Sequence, residues 1–233
     1  MHISRRLDAV ISMLAGEDDK YDLVADVGCD HGFTAISLIT KGIAKRVTAS
    51  DVRTGPLETA REHVAEYGFE DRIDICLSDG LEHISSENVP DAVILSGMGG
   101  LLICDIISKA YERQALPEVL ILQPQSKNDK VRICLRDMGY EITAEDMLCE
   151  DGKFYVIIRG EARGKDGLGA PDHLKDIFGP KLIEDKNEVL KEYLLKEKKK
   201  YEKILEEMPA DNEDRTEIIR KLEDMETVLD LMI

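Results

Sequence analysis

Three aspartates close three apolar runs: Asp26 in DVGCDHG (26–32), Asp51 in RVTASDV (46–52) and Asp79 in SDGL (78–81). An acid at the end of a second strand can accept hydrogen bonds from both hydroxyls of a ribose. An acid at the end of a third can bond an adenine amino group, with Leu81 packing on the ring. The first turn reads G-x-x-x-G rather than the G-x-G-x-x-G of a nicotinamide-binding fold, and it carries two acids, Asp26 and Asp30. A pyrophosphate would be repelled there, whereas a cation would be welcome. Ammonium, ribose and adenine without phosphate describe S-adenosylmethionine. The candidate donor site is therefore Asp26, Gly28, Cys29, Asp30 and His31, then Asp51 and Val52, then Asp79, Gly80 and Leu81, with Ser96 across the sheet. Each acid taken singly also reads as a helix N-cap. His31 reads equally as a histidine bonding backbone at a helix start.

The fourth apolar run leaves through Ser96, Gly97, Met98, Gly99 and Gly100. If it lies beside the first, this loop faces the methyl donor. Amino-methyltransferases of nucleic acids usually place N/D-P-P-Y/F here, with a polar grip and a stacking aromatic. Neither proline nor aromatic is present. Bare glycines leave room for a substrate edge and expose N–H groups to bond it, so Gly97, Met98, Gly99 and Gly100 are expected to position rather than to transfer protons. Tight helix–strand packing is the other reading of Gly99-Gly100.

Elements must hold these residues. Apolar runs at 22–28, 46–52, 72–79, 91–97 and 118–124 alternate with helical stretches at 33–41, 56–67, 99–113 and 127–138. Strands alternating with helices imply βαβ units and a parallel sheet. Residues 140–160 then read as two strands joined at Asp151-Gly152, a strong hairpin signal. The expected class is α/β, a Rossmann-like and mostly parallel sheet ending in an antiparallel hairpin. Residues 161–171 are Gly-rich and polar. Beyond them apolar seams at Leu190, Leu194, Tyr201, Ile204 and Met208, and at Ile218, Leu222, Met225, Leu229 and Met232, predict a helical hairpin of coiled-coil type. If Lys181 to Met208 is one helix, that arm runs about 42 Å. The expected division is a methyltransferase domain at 1–163, a linker at 164–171 and a helical domain at 172–233.

The 233 residues are 43% hydrophobic and 34% charged, enough for one core with an appendage. No run approaches the roughly 18 apolar residues of a membrane span, and Asp8 breaks the N-terminal apolar run, which reads as an amphipathic helix rather than a signal peptide. Five isolated cysteines show no C-x-x-C pair, and the five histidines no metal-ligand spacing. No metal is expected, and a reducing cytoplasm suits the thiols. The net charge of −17 argues against a broadly basic nucleic-acid surface.

DVGCDHG, the Asp51 strand end, SDGL, SGMGG, LILQP, EDGKFY and FGPKL (178–182) together resemble the bacterial tRNA adenine-22 N1-methyltransferases, the TrmK family. The resemblance covers nearly the whole chain; one difference is Gly32-Phe33 where members have Ala-Tyr. It implies a Rossmann-type domain with a coiled-coil appendage, S-adenosylmethionine as donor, and tRNA as partner, methylated at N1 of adenine 22 in the D-arm. Such an adenine must be unpaired or flipped out. Gln123 and Gln125 around Pro124 are placed to bond its edge, although Gln123 also reads as a satisfied strand-end amide. Local cations offer phosphate contacts: Arg5 and Arg6, then Lys127, Lys130, Arg132 and Arg136. A class I methyltransferase for protein or small molecules fits the donor site as well, and a non-catalytic adaptor is the third reading. The oligomeric state is not legible.

Overall fold

The computed structural model describes residues 3–15, 20–164, 169–209 and 211–233. Helix α1 (Arg5–Leu14) starts at Ser4, whose hydroxyl accepts from the Leu7 N–H, and it buries Val10, Ile11 and Leu14. The alternating section gives β1 (Tyr21–Val27), α2 (Phe33–Thr40), β2 (Ala44–Asp51), α3 (Thr54–Glu66), β3 (Ile73–Leu77), β4 (Ala92–Met98), α4 (Gly100–Glu112), β5 (Val119–Pro124) and α5 (Asn128–Asp137). The hairpin is β6 (Tyr140–Glu150) and β7 (Lys153–Ala162). Asp151 and Gly152 both have positive φ, 51° and 75°, as a twist-matched two-residue turn demands.

Among the described residues the strands form one sheet in the order β3-β2-β1-β4-β5-β7-β6. The first five are parallel, and β7 runs antiparallel between β5 and β6. Strand period sorts the core into two layers. Val24, Ile94, Ile121 and Ile157 face α1, α2 and α3. Their neighbours Ala25, Leu95, Leu122 and Ile158 face α4 and α5. The chain order reverses between β1 and β4, and the crevice at their carboxyl ends is where such sheets bind ligands.

The C-terminal part is α6 (His173–Phe178), α7 (Pro180–Glu184), α8 (Glu188–Glu207) and α9 (Arg215–Leu231). Lys181 to Met208 is not one helix. Lys186 turns to φ +51°, and Asn187 caps a new helix by accepting from the N–H groups of Val189 and Leu190. The 20 residues of α8 span about 30 Å. Phe178, Leu182, Leu190, Leu194, Met225 and Val228 share one cluster with Val131 of α5 and with Met147, Val156 and Ile158 of the hairpin strands. The helices are packed onto the sheet rather than tethered to it. Of the expected linker, residues 165–168 lie outside the described residues.

Arg132 corrects one expectation. It is 2% exposed, with Nε donating to Glu145 Oε1 at 2.7 Å and Nη1 donating to the carbonyls of Asp176 and Ile177. Glu145 Oε2 in turn accepts from the Lys181 N–H. This guanidinium clamps α6 and α7 to the sheet and cannot meet a phosphate. Arg136 is likewise engaged, on the Asp176 carboxylate.

Candidate functional site

A cavity of about 490 Å³ opens at the carboxyl ends of β1 to β4, and the three strand-end aspartates line it. The β1 exit supplies Asp26, Gly28, Cys29, Asp30 and His31. The β2 exit supplies Asp51, Val52 and Arg53, the β3 exit Ser78, Asp79 and Gly80, and the β4 exit Ser96, Gly97 and Met98. Four elements distant in sequence therefore converge because the parallel register brings all their ends to one edge.

The geometry differs from acid to acid. Asp26 is 2% exposed, and its Oδ2 has no hydrogen-bond partner among the described residues. Burial pushes its carboxyl up to about 7, a hydrogen bond from the Ala35 backbone opposes this, and the nearby charge of Asp51 adds to it. Asp51 is buried too, but its Oδ1 accepts from the Arg53 N–H at 2.9 Å, in an Asx-like turn, and from Arg53 Nε at 3.4 Å. Asp79 and Asp30 are exposed at the rim. Asp30, at φ 49°, pairs with His31 Nε2 at 3.6 Å. Gly28 has φ +73°, a conformation that L side chains rarely adopt, and the terminal methyl of Met98 occupies the space its Cβ would take. The Cys29 thiol is buried among these acids, and both burial and their charge hold it protonated.

The SGMGG loop is a bulge. Ser96 pairs with Gln123 and Met98 with Pro124, leaving Gly97 unpaired at φ +78°. Its N–H donates at 3.1 Å to Gln123 Oε1 instead of to the ladder. Bulges of this kind re-aim backbone beside functional sites. The β4 and β5 exits are then strapped together, with Gln125 N–H donating to the Met98 carbonyl at 2.8 Å and Gly100 N–H to the Ser126 carbonyl at 2.9 Å.

Several expected contacts fall elsewhere. Leu81 is 2% exposed in the core beside Ile84 and Ile107, so it cannot pack on a ligand ring. The apolar wall is instead Val52, Leu102 and Ile106. Gln123 and Pro124 are buried, and the Gln123 amide oxygen is taken by donors of the protein itself, so neither meets a base edge; Gln125, exposed and at the cavity, is the one that does line it. Arg5 lies outside the cavity, its N–H bonded to Glu150 Oε1 at 2.7 Å and its guanidinium near the Cys149 carbonyl. Arg6 reaches the cavity wall, while Lys127 and Lys130 are exposed on the loop and helix that follow β5. The lining also holds residues that sequence reasoning does not assign, among them two pairs. The pair Leu102 and Ile106, spaced four apart on α4, is a signal that helical period carries. Ser4, the cap of α1, and Leu7 within it carry none, because only the tertiary fold sets α1 across the mouth.

Among the described residues no helix is long and apolar enough to cross a membrane, and no group of three or more His, Cys, Asp or Glu is arranged to hold a metal ion.

The chain is similar end to end to proteins already described. The Bacillus subtilis (strain 168) tRNA (adenine(22)-N(1))-methyltransferase is 28% identical over 228 residues, 96% of this chain and 94% of that one. Streptococcus pneumoniae Sp1610, solved in complex with S-adenosyl-L-methionine, is 33% identical with a TM-score of 0.85, covering 98% of this chain and all of that one. M. capricolum TrmK, solved with S-adenosyl-homocysteine, is 25% identical with a TM-score of 0.86, and each chain is covered fully. The TrmK family, described as tRNA (adenine(22)-N(1))-methyltransferase, matches residues 24–227, from within β1 to within α9. The cavity of strand-end acids therefore sits in a chain that belongs to the TrmK family of tRNA (adenine(22)-N(1))-methyltransferases.

Proposed function

We propose that this chain methylates N1 of adenine 22 in the D-arm of tRNA, with S-adenosylmethionine as donor. The observation that carries the donor assignment is the buried, unpartnered Oδ2 of Asp26 in a cavity that also presents Asp51 and Asp79. A cationic amino-acid end, a ribose and an adenine match that order of acids. Asp26 would face the ammonium, Asp51 the ribose hydroxyls and Asp79 the adenine amino group. Gly28, Cys29, Gly80 and Val52 would border the donor, and the acids at 26 and 30 would reject a pyrophosphate.

S-adenosylmethionine supplies an electrophilic methyl group on sulfur. The in-plane lone pair of adenine N1 is already nucleophilic. As the N–C bond forms and the C–S bond breaks, the positive charge passes to the base, so no proton must leave. The chain therefore needs no general base, in keeping with a β4 exit made of Ser96, Gly97, Met98, Gly99 and Gly100. Its task is alignment, which is worth several kcal/mol when reacting atoms are held in line. A paired N1 is hidden, so the nucleotide must leave its stack, at a few kcal/mol. Gln125 and the exposed Lys127 and Lys130 would meet the substrate at the rim. The decisive experiment is nucleoside analysis of unmodified tRNA after incubation with protein and donor. The appearance of 1-methyladenosine at position 22 is expected, and its absence would sink the reading.

Asp51→Ala is expected to weaken donor binding by about 1–3 kcal/mol, because ribose hydroxyls lose a charged acceptor. Calorimetry with S-adenosylmethionine measures this directly, and an unchanged affinity would remove Asp51 from the ribose site.

We infer further that residues 1–163 carry the donor site and that 172–233 extend the surface offered to tRNA. Deleting the helices would uncover the core they share with the sheet, so surface charge is the cleaner probe. Lys196, Lys199 and Lys203 are exposed on α8. Changing all three to Gln should weaken tRNA binding several-fold and flatten its salt dependence, since each phosphate contact adds about one to the slope. Unaltered tRNA affinity would leave α8 with a packing role.

A further inference from the structure

Gln123 is 0% exposed, yet its amide oxygen gathers three donors from two distant segments of the chain. Arg6 Nη1 on α1 donates at 3.0 Å, the Gly97 N–H in the bulge at 3.1 Å, and Ser96 Oγ at 3.4 Å. Its own Nε2 donates to the Pro124 carbonyl at 3.2 Å, which fixes the amide orientation.

What the amide holds is a pair of groups at the cavity wall. Arg6 Nη1 lies 3.5 Å from where a Gly97 Cβ would stand, and the Arg6 guanidinium sits 5.4 Å from the Tyr155 ring centroid. Aromatic face and amide oxygen together leave a planar cation little freedom. Charge along the cavity is uneven. The acids Asp26, Asp30, Asp51 and Asp79 sit at the exits of β1 to β3, where Arg53 is already engaged by Asp51. Among the described lining residues Arg6 is the other cation, and it stands beside the Gly97 bulge of β4. A cationic donor suits the acidic end, and a polyanionic substrate suits the other.

The geometry points to Gln123 as a positioning residue, one that presents the Arg6 guanidinium and the Gly97 backbone as a single unit to the incoming nucleotide. Arg6 takes a phosphate oxygen of that nucleotide, and the glycine bulge lies along the base edge. This rests on the tRNA-methylation reading above. It gives the LQP segment a role that acts through two neighbours, without touching substrate itself.

The test uses the full chain, unmodified tRNA and a double-mutant cycle. Arg6→Ala, which removes a partly exposed side chain, is expected to lower kcat/KM for tRNA at least tenfold, with donor affinity within twofold of the parent. Gln123→Ala should do the same, and Gln123→Glu, which keeps an acceptor for Arg6 and Gly97, should recover much of the loss. The two alanine changes together should reduce kcat/KM little further than either alone, because each breaks the same unit. Losses that multiply in the double variant would overturn the proposal. So would Gln123 variants whose donor affinity and melting temperature fall in step with activity, or an Arg6→Ala protein of parental kcat/KM. If the parent protein itself fails to methylate tRNA, the fault lies with the reading of the function and not with Gln123.

Discussion

Exchanging Asp26 for Asn is expected to make the free protein more stable above neutral pH and, in the same molecule, to abolish turnover. Burial is the first cause of the displaced carboxyl, outweighing a hydrogen bond from Ala35 and reinforced by Asp51. A carboxyl at about 7 in the fold against 3.8 unfolded opposes folding once the unfolded chain has ionised. The sign is the reverse of a paired carboxylate. No penalty exists below pH 3.8; it grows as pH rises toward 7, and then it stays constant at about 4 kcal/mol. The neutral Asn side chain escapes this, so its gain in melting temperature should be large at pH 8 and nearly absent at pH 4. The donor ammonium would relieve the same penalty in the parent protein by supplying the missing partner of Oδ2. Donor binding should therefore release a proton near neutral pH. Affinity should fall about tenfold per unit as pH drops well below 7, and fall again above about 8 as the donor's own amine loses its proton. Calorimetry in buffers of different ionisation enthalpy counts that proton. A donor affinity flat between pH 5 and 8 would show that Asp26 faces no cation.

The same carboxyl shows what could be read from sequence. Position at the end of an apolar run placed Asp26, Asp51 and Asp79 at one edge, because parallel strands in register leave no other arrangement. The hairpin was equally legible, since Asp151-Gly152 tolerates the positive φ that its two-residue turn requires. What failed were residues whose surroundings come from far along the chain. Arg132 stands among Lys127, Lys130 and Arg136 and reads as surface charge; only Glu145, thirteen positions on, and two carbonyls of α6 make its burial tolerable. Gln123 failed similarly, since nothing in LILQP announces that a guanidinium 117 positions earlier will occupy its oxygen. Proximity to Asp79 points Leu81 toward a ligand, but the backbone turns at Gly80, φ +55°, and sends the next side chain into the core. Local pattern fixes strand ends and turns. Partners across the fold decide which polar side chains remain available.

Gly97, Gly99 and Gly100 looked like one device and are three. Gly97 needs its positive φ for the bulge, where an L side chain would strain the backbone by about 1–2 kcal/mol. Gly100 is a packing glycine: a Cβ there would lie 2.3 Å from the Ser126 carbonyl oxygen, 2.8 Å from that of Lys127 and 3.1 Å from Val131 Cγ2. Two of these neighbours are backbone and cannot swing aside, and the first is the acceptor of the Gly100 N–H. Gly100→Ala must part the β4 and β5 exits, and is expected to destabilise by about 3 kcal/mol while donor binding and methylation fall with it. Gly99 is different. Its backbone, at φ −64° and ψ 140°, suits any residue, and a Cβ would meet only Ser126 Oγ, at an ordinary 3.7 Å. Gly99→Ala should therefore leave melting temperature and donor affinity unchanged. If the bare backbone there admits the edge of a base, the added methyl group should still cut tRNA methylation severely, chiefly through kcat. Melting temperature, donor affinity and turnover measured on both variants separate the cases. A Gly99→Ala protein with full turnover would mean that the adenine enters elsewhere along the loop, with Gly97 left as the one glycine of the three that faces it.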